Sequence, residues 1–194
     1  MNFLPIEING IKVYAGFWKR FCALFIDRLI VLSTAFLIAE IPCPVRFGPI
    51  PSIILAVFVF VLVNMYEVYF HGRFGATPGK WVVGIRVTRL DGRQIGWTEA
   101  WTRSSVDIAF AFIVLVFEMW GMFQVDWAQF APLGWSERPT KLREVLPSWF
   151  RALDVLQAVW VYSEVLVVLF NKRKRALHDF LAGTIVIKKQ FAEK

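Results

Sequence analysis

Ile53-Ile54-Leu55-Ala56-Val57-Phe58-Val59-Phe60-Val61-Leu62-Val63 is a run without a single charge, set inside a longer apolar segment, Ile50–Phe70. A helix of about 20 mostly apolar residues crosses the hydrocarbon of a bilayer, and this segment has that length. Working outward, three more segments reach it: Phe17–Ile41, Ser105–Val125 and Leu153–Phe170. Each of those three carries ionisable residues: Asp27 and Arg28 in the first, Asp107 and Glu118 in the next, Glu164 in the last. The runs exceed an ordinary buried core helix, which disfavours a soluble helical protein. The expected fold is a membrane all-α one, a four-helix transmembrane bundle.

Composition agrees. Hydrophobic residues make up 57% of the 194 and charged residues 19%, with a mean hydropathy of +0.54. Soluble domains run at about 45–50% apolar and about 25% charged. The net charge of +7 fits either a nucleic-acid binder or a membrane protein with its cations held on one side. Their distribution decides. Lys12, Lys19 and Arg20 precede the first span, and Arg73, Lys80, Arg86, Arg89, Arg93 and Arg103 lie between the second and third. Lys172, Arg173, Lys174, Arg175, Lys188, Lys189 and Lys194 follow the fourth. The remaining connections hold Arg46, Arg138, Lys141, Arg143 and Arg151, the last four mixed with acids. The positive-inside rule then places both termini (N-in/C-in) and a loop over 71–104 in the cytoplasm, with an outer loop over 126–152. Topology accounts for the basicity, so no nucleic-acid partner is expected. The chain reads as one membrane domain.

Cys22 and Cys43 are too few for a disulfide framework, have no metal-ligand spacing and fall at opposite ends of the first span. No cleavable signal peptide is expected.

The middle loop has its own structure. Thr77-Pro78-Gly79-Lys80 reads as a helix start with Pro at its first position. Val83, Ile85 and Val87 alternate with Gly84, Arg86 and Thr88, a strand period. Asp91-Gly92 supplies a turn, and Gln94–Trp97 is expected to return as a second strand. Thr184–Lys188 is another β-branched run, expected to add as a third strand and form a small cytoplasmic β element. The outer loop, rich in Pro and Trp (Trp127, Trp135, Trp149), is expected to hold a short amphipathic helix near Lys141–Leu146.

Three stretches, read together, resemble a known family. Phe17-Trp18-Lys19-Arg20-Phe21-Cys22-Ala23-Leu24-Phe25-Ile26-Asp27 resembles the opening of the RDD family of bacterial membrane proteins, in which an Asp follows an Arg by seven residues. Thr77-Pro78-Gly79-Lys80 with Gly84-Ile85-Arg86-Val87 resembles that family's middle stretch, and Arg175-Ala176-Leu177-His178-Asp179-Phe180-Leu181-Ala182-Gly183-Thr184 its C-terminal one. The resemblance implies Arg20, Asp27 and Asp179 as signature residues. It also implies a multi-pass protein of the bacterial cytoplasmic (inner) membrane, in a family discussed in terms of transport and cation/proton exchange. The Trp-rich stretch Asp126–Leu153 departs from the family pattern.

Ionisable groups inside hydrocarbon cost roughly 2.5–3.5 kcal/mol and face protein or water. Asp27 lies two turns after Arg20, on the same helix face about 10 Å along the axis. It needs a partner from another helix, for which Arg103 is a candidate. Arg103, Asp107 and Glu118 share one face of the third span, with an Arg103–Asp107 bridge expected at i,i+4. Glu164 is the carboxylate hardest to excuse. Asp27, Arg103, Asp107, Glu118 and Glu164 form the candidate ion or proton path; the alternative for each is an ion pair that locks helices together. His178-Asp179 reads as a cap, with Asp179 accepting backbone or Arg hydrogen bonds, rather than as a metal site. No nucleophile–base set is present, so neither an enzyme nor a cofactor or metal is expected. The expected function is a small transporter or cation/proton exchanger acting as a homo-oligomer in the lipid bilayer. The alternative is a scaffold or accessory subunit that binds protein partners through the β element or the Trp-rich loop.

Overall fold

A computed structural model describes residues 4–39, 47–134 and 136–192. Cys43, the end of the first expected span at Ile41, Trp135 and Lys194 lie outside them, and Cys22 is an exposed free thiol. The chain is mostly helical, with two small two-stranded sheets. The elements are β1 (Glu7–Ile8), β2 (Ile11–Lys12), α1 (Phe17–Ala39), α2 (Pro49–Phe74), α3 (Pro78–Val83) and β3 (Ile85–Arg89). Then follow α4 (Trp97–Met122), α5 (Trp127–Phe130), α6 (Arg138–Val145), α7 (Phe150–Phe170), α8 (Leu177–Leu181) and β4 (Thr184–Lys188). A one-turn 3₁₀ helix, Lys189–Phe191, ends the described chain. Helices α1, α2, α4 and α7 are long and apolar enough to cross a membrane.

Two compact units emerge. One gathers Met1–Ile30, Met65–Val106 and Ala158–Lys194; the other gathers Val31–Asn64 and Asp107–Gln157.

The first unit is built around β4. Its residues Ile185, Val186 and Ile187 are fully buried, which suits a continuous β-branched run better than a half-exposed strand. On one edge β4 pairs antiparallel with β3, Val87 opposite Val186 and Arg89 opposite Thr184. On the other edge it meets the segment before α1: the Ala15 N–H donates to the Val186 carbonyl at 2.9 Å, and the Lys188 N–H to the Val13 carbonyl at 3.0 Å. One face packs Val186 with Ala15, Ala23, Ile85, Val87 and Ile95. The other packs Ile185 and Ile187 with Val13 and Tyr14, against Leu4, Ile8, Leu90 and Phe191.

This differs from the expected hairpin. Gln94–Trp97 does not return as a strand; only Gln94 forms a single bridge, to Thr88. The reason lies in Trp97, which opens α4 well before the expected Ser105. Glu99 in its first turn accepts the Gly96 N–H at 2.8 Å and fixes that start. Val83 also leaves the strand and closes α3, where Gly84 (φ 72°) takes the left-handed conformation that ends a helix without a Cβ clash. The N-terminal segment adds instead on the opposite edge, beside β4. Ahead of it, Asn9-Gly10, both at positive φ, turn the β1–β2 hairpin, whose register pairs Ile8 with Ile11. An Asn-Gly pair is a strong hairpin signal.

In the second unit Phe117 packs edge-on against Trp149 (5.0 Å) and beside Phe150 (5.4 Å), and Leu142 and Leu146 close over Gly121. The expected amphipathic helix is present as α6. Asp126 caps α5 by accepting the Ala128 N–H, and Arg143 pairs with Asp154 at 3.2 Å.

Candidate functional site

Two carboxylate centres lie in the first unit. At the first, the start of α3 directs two residues, Thr77 and Gly79, at Asp27 of α1. Thr77 precedes a proline, which pushes it into the extended region, and its side chain does not cap its own helix. The Thr77 hydroxyl donates to Asp27 Oδ2 at 2.5 Å, while Tyr66 Oη and the Gly79 N–H each donate to Oδ1 at 2.8 Å. Asp27 is thus the acceptor for one of the N–H groups that every helix start leaves unpaired. It is 4% exposed, so these donors replace water. Lys80 Nζ donates to the Thr77 hydroxyl at 3.4 Å, bringing a cation one step behind the cage. Burial pushes the Lys80 ammonium below its usual range, opposed by the nearby Glu67 and Asp27 carboxylates and reinforced by Arg103. The donors to Asp27 are two hydroxyls and a backbone amide, none of them Arg103.

The second centre is Asp179, which is fully buried. It sits in α8 and accepts the Ala176 N–H at 2.9 Å, the reciprocal contact of a capping box. Arg20 Nη1 of α1 donates to Oδ2 at 2.8 Å, and Arg103 Nη1 of α4 donates to Oδ1. Arg103 also donates to the Thr184 hydroxyl at 3.1 Å. Arg175 closes the cluster through backbone: it donates to the carbonyls of Thr184 (3.1 Å) and Asp179 (2.9 Å), its guanidinium 4.0 Å from the Phe180 ring centroid. Burial alone would raise the Asp179 carboxyl. The charges of Arg103 and Arg20, with His178 and the Ala176 N–H, hold it well below the usual carboxylate range.

His178 joins this centre to Glu164. Nδ1 lies 2.7 Å from Glu164 Oε2, and the His178 backbone N–H donates to Oε1 at 2.8 Å. Nε2 lies 2.6 Å from Arg103 Nη2 and 3.7 Å from Asp179 Oδ1. A guanidinium only donates, so Nε2 accepts and Nδ1 carries the ring proton, facing Glu164. Glu164 therefore accepts a backbone amide at Oε1 and stands at ion-pair distance from the imidazole at Oε2, where no hydrogen bond is formed among the described residues.

Of the sequence candidates, Arg20, Arg103, Glu164 and Asp179 converge, and Asp27 has its own cage in the same unit. Asp107, exposed, and Glu118, half-buried, belong to the other unit. Sequence reasoning missed Tyr66, Gly79 and Arg175 as site residues, and missed His71. That histidine is 1% exposed on α2, and both ring nitrogens lack a hydrogen-bond partner. The surrounding charges are Lys80, Arg103, His178 and Asp179. The signals were faint: Tyr66 lies in an apolar run, and Gly79 in a turn motif that already had a local explanation.

Among the described residues no group of three His, Cys, Asp or Glu side chains is arranged to hold a metal ion. No curated protein and no solved structure matches the chain. The RDD family model matches residues 14–183, from Tyr14, which bridges to Ile187 beside β4, to Gly183, which precedes β4, so the match contains both carboxylate centres. Arg20, Asp27 and Asp179, the residues that first suggested the likeness, are the ones these centres are built on, and the chain belongs to the RDD family.

Proposed function

We propose that this RDD protein is a small transporter that exchanges a cation for a proton, working as an oligomer in the bacterial cytoplasmic membrane with both termini inside. The observation that carries it is the placement of His178 between Glu164, 2.7 Å from Nδ1, and the Arg103–Asp179 pair at Nε2. Glu164 lies in the span α7 and His178 and Asp179 in α8 just beyond it, and carboxylate–imidazole chains of this kind mark proton relays in membrane proteins. A proton taken up from water at Nε2 once Arg103 swings aside makes the ring an imidazolium, which passes its Nδ1 proton to Glu164 and returns to the neutral form, so that one proton moves along the array. Asp107 and Glu118 are assigned to the ion path by their place on one face of the third span in the sequence. Asp27, with its oxygens taken up by three donors, holds α3 in place. Self-association supplies the remaining walls, since four spans are few for alternating access. The distribution of Lys and Arg supports the orientation. In this reading the protein performs no catalysis.

Proteoliposomes with an internal pH dye and an imposed cation gradient test the proposal. Wild type is expected to move protons, and His178→Gln and Glu164→Gln are expected to reduce flux to the level of empty vesicles while eluting as the wild type does. Unaltered flux in both variants sinks it. A second reading, a scaffold or accessory subunit without transport, is favoured by the Asp27 cage, which is built like a structural lock. It predicts no flux in wild type and loss of folded protein, rather than of flux, in Asp27→Asn.

A further inference from the structure

A cavity of about 250 Å³ lies outside both carboxylate centres, lined by Arg73, Phe74, Trp81, Arg86, Gln94 and Lys189 among others. Its three cations come from three elements: Arg73 from the last turn of α2, Arg86 from β3, and Lys189 from just beyond β4. Lys189 is positioned by its own backbone, whose N–H donates to the Gly84 carbonyl at 2.9 Å. Arg86 is fixed by Gln94: Nη2 donates to Oε1 at 3.1 Å, and Gln94 Nε2 donates in turn to the Arg73 carbonyl at 3.1 Å. Arg86 Nε is buried and has no hydrogen-bond acceptor. The cavity has no carboxylate in its wall, and none of the three cations is in an ion pair among the described residues. Three like charges held around one space that has no carboxylate in its wall call for an anion.

The wall identifies which kind. Phe74 and Trp81 pack edge to face at 5.2 Å, and Phe70 meets Trp81 edge to face at 5.7 Å. Trp81 keeps 42% of its surface exposed, and Phe74 is the last residue of a helix that spans the membrane. Rings and cations at a span's end occupy the level of the headgroups. We propose that this cavity binds the phosphate of an anionic phospholipid, with Arg86 and Lys189 on its oxygens, Arg73 at the rim, and the glycerol and upper acyl chain against Phe74 and Trp81. The site is independent of any transport role.

Native mass spectrometry of the full chain, purified with mixed phosphatidylglycerol and phosphatidylcholine, tests it. Wild type is expected to retain phosphatidylglycerol selectively. Affinity is expected to fall about five-fold for each cation removed in Arg73→Gln, Arg86→Gln and Lys189→Gln. Lys189 is exposed and held by its backbone, so Lys189→Gln alone reads out even where the Arg variants fold poorly. Removal of an exposed cation in β2, away from the span ends (Lys12→Gln), is expected to leave retention unchanged. Equal retention of the two lipids, or an equal loss in that control, overturns the proposal. Displacement of the lipid by millimolar inorganic phosphate overturns it too, in favour of a site for a soluble anion.

Discussion

Asp179→Asn is expected to destabilise the folded protein by about 3–5 kcal/mol, the cost of removing one partner from a buried ion pair. The carboxylate is fully buried and neutralises Arg20 and Arg103 together, so its loss leaves two guanidiniums facing each other without a counter-charge. The amide also loses an acceptor, breaking the Ala176 contact or the Thr184 contact at 3.3 Å. Because these partners lie on α1, α4, α8 and β4, the whole first unit loosens. The check is the melting temperature in detergent with the elution profile, and an Asn variant that melts with wild type refutes the clamp. The linked pH dependence has a definite sign. The folded carboxyl titrates well below its unfolded value, so its stabilisation is complete above the ordinary carboxylate range. It is lost as pH falls through the depressed folded value. Acid melts should therefore separate wild type from Asp179→Asn at neutral pH and bring them together at strongly acidic pH.

Gly79→Ala is the second large effect. A Cβ at this position would collide with the Ala23 carbonyl of α1 and stand 2.7 Å from Asp27 Cγ and 2.8 Å from its Oδ1. A backbone carbonyl inside a helix has nowhere to move, so α3 must withdraw. The Gly79 N–H then leaves Asp27, and the Thr77 hydroxyl follows. The expected cost is about 2–3 kcal/mol, at the upper end of overpacking penalties. Gly84 provides the contrast: no atom lies near its missing Cβ, and its requirement is a positive φ. Gly84→Asn, a residue that tolerates this conformation, is expected to melt close to wild type while Gly79→Ala does not. Equal melting of wild type and Gly79→Ala would sink the close-approach account.

The candidate site was legible as a set of residues and illegible as a set of contacts. Asp27 stood out because charge is costly in hydrocarbon, whatever it touches, and Arg20 and Asp179 through the family resemblance. Their partners did not, because each pairing joins residues far apart in the chain: Asp27 to Tyr66 and Thr77, Arg103 to Asp179, His178 to Glu164. Arg103 was assigned to Asp27 by membrane side alone, and several residues satisfy that criterion. Glu164 looked unexcused since nothing in the sequence brings α8 back against α7. His71 carried no signal at all; one histidine near a helix end has many ordinary explanations.

The four spans were determined by the sequence itself, since hydropathy over about 20 residues is a local property that the bilayer reads directly. So was the start of α3 at Thr77-Pro78, because proline restricts its own φ and the residue before it. The order of strands was decided only in three dimensions. Ile53–Val63 fixes that a helix crosses the membrane. Gln94–Trp97 stops at a single bridge on the outer edge of β3 because Trp97 belongs to α4, and Val13–Ala15 takes the opposite edge of the sheet, beside β4. The carboxylate centres were decided in the same way: a buried charge must find donors, and only the folded chain sets which donors are within reach.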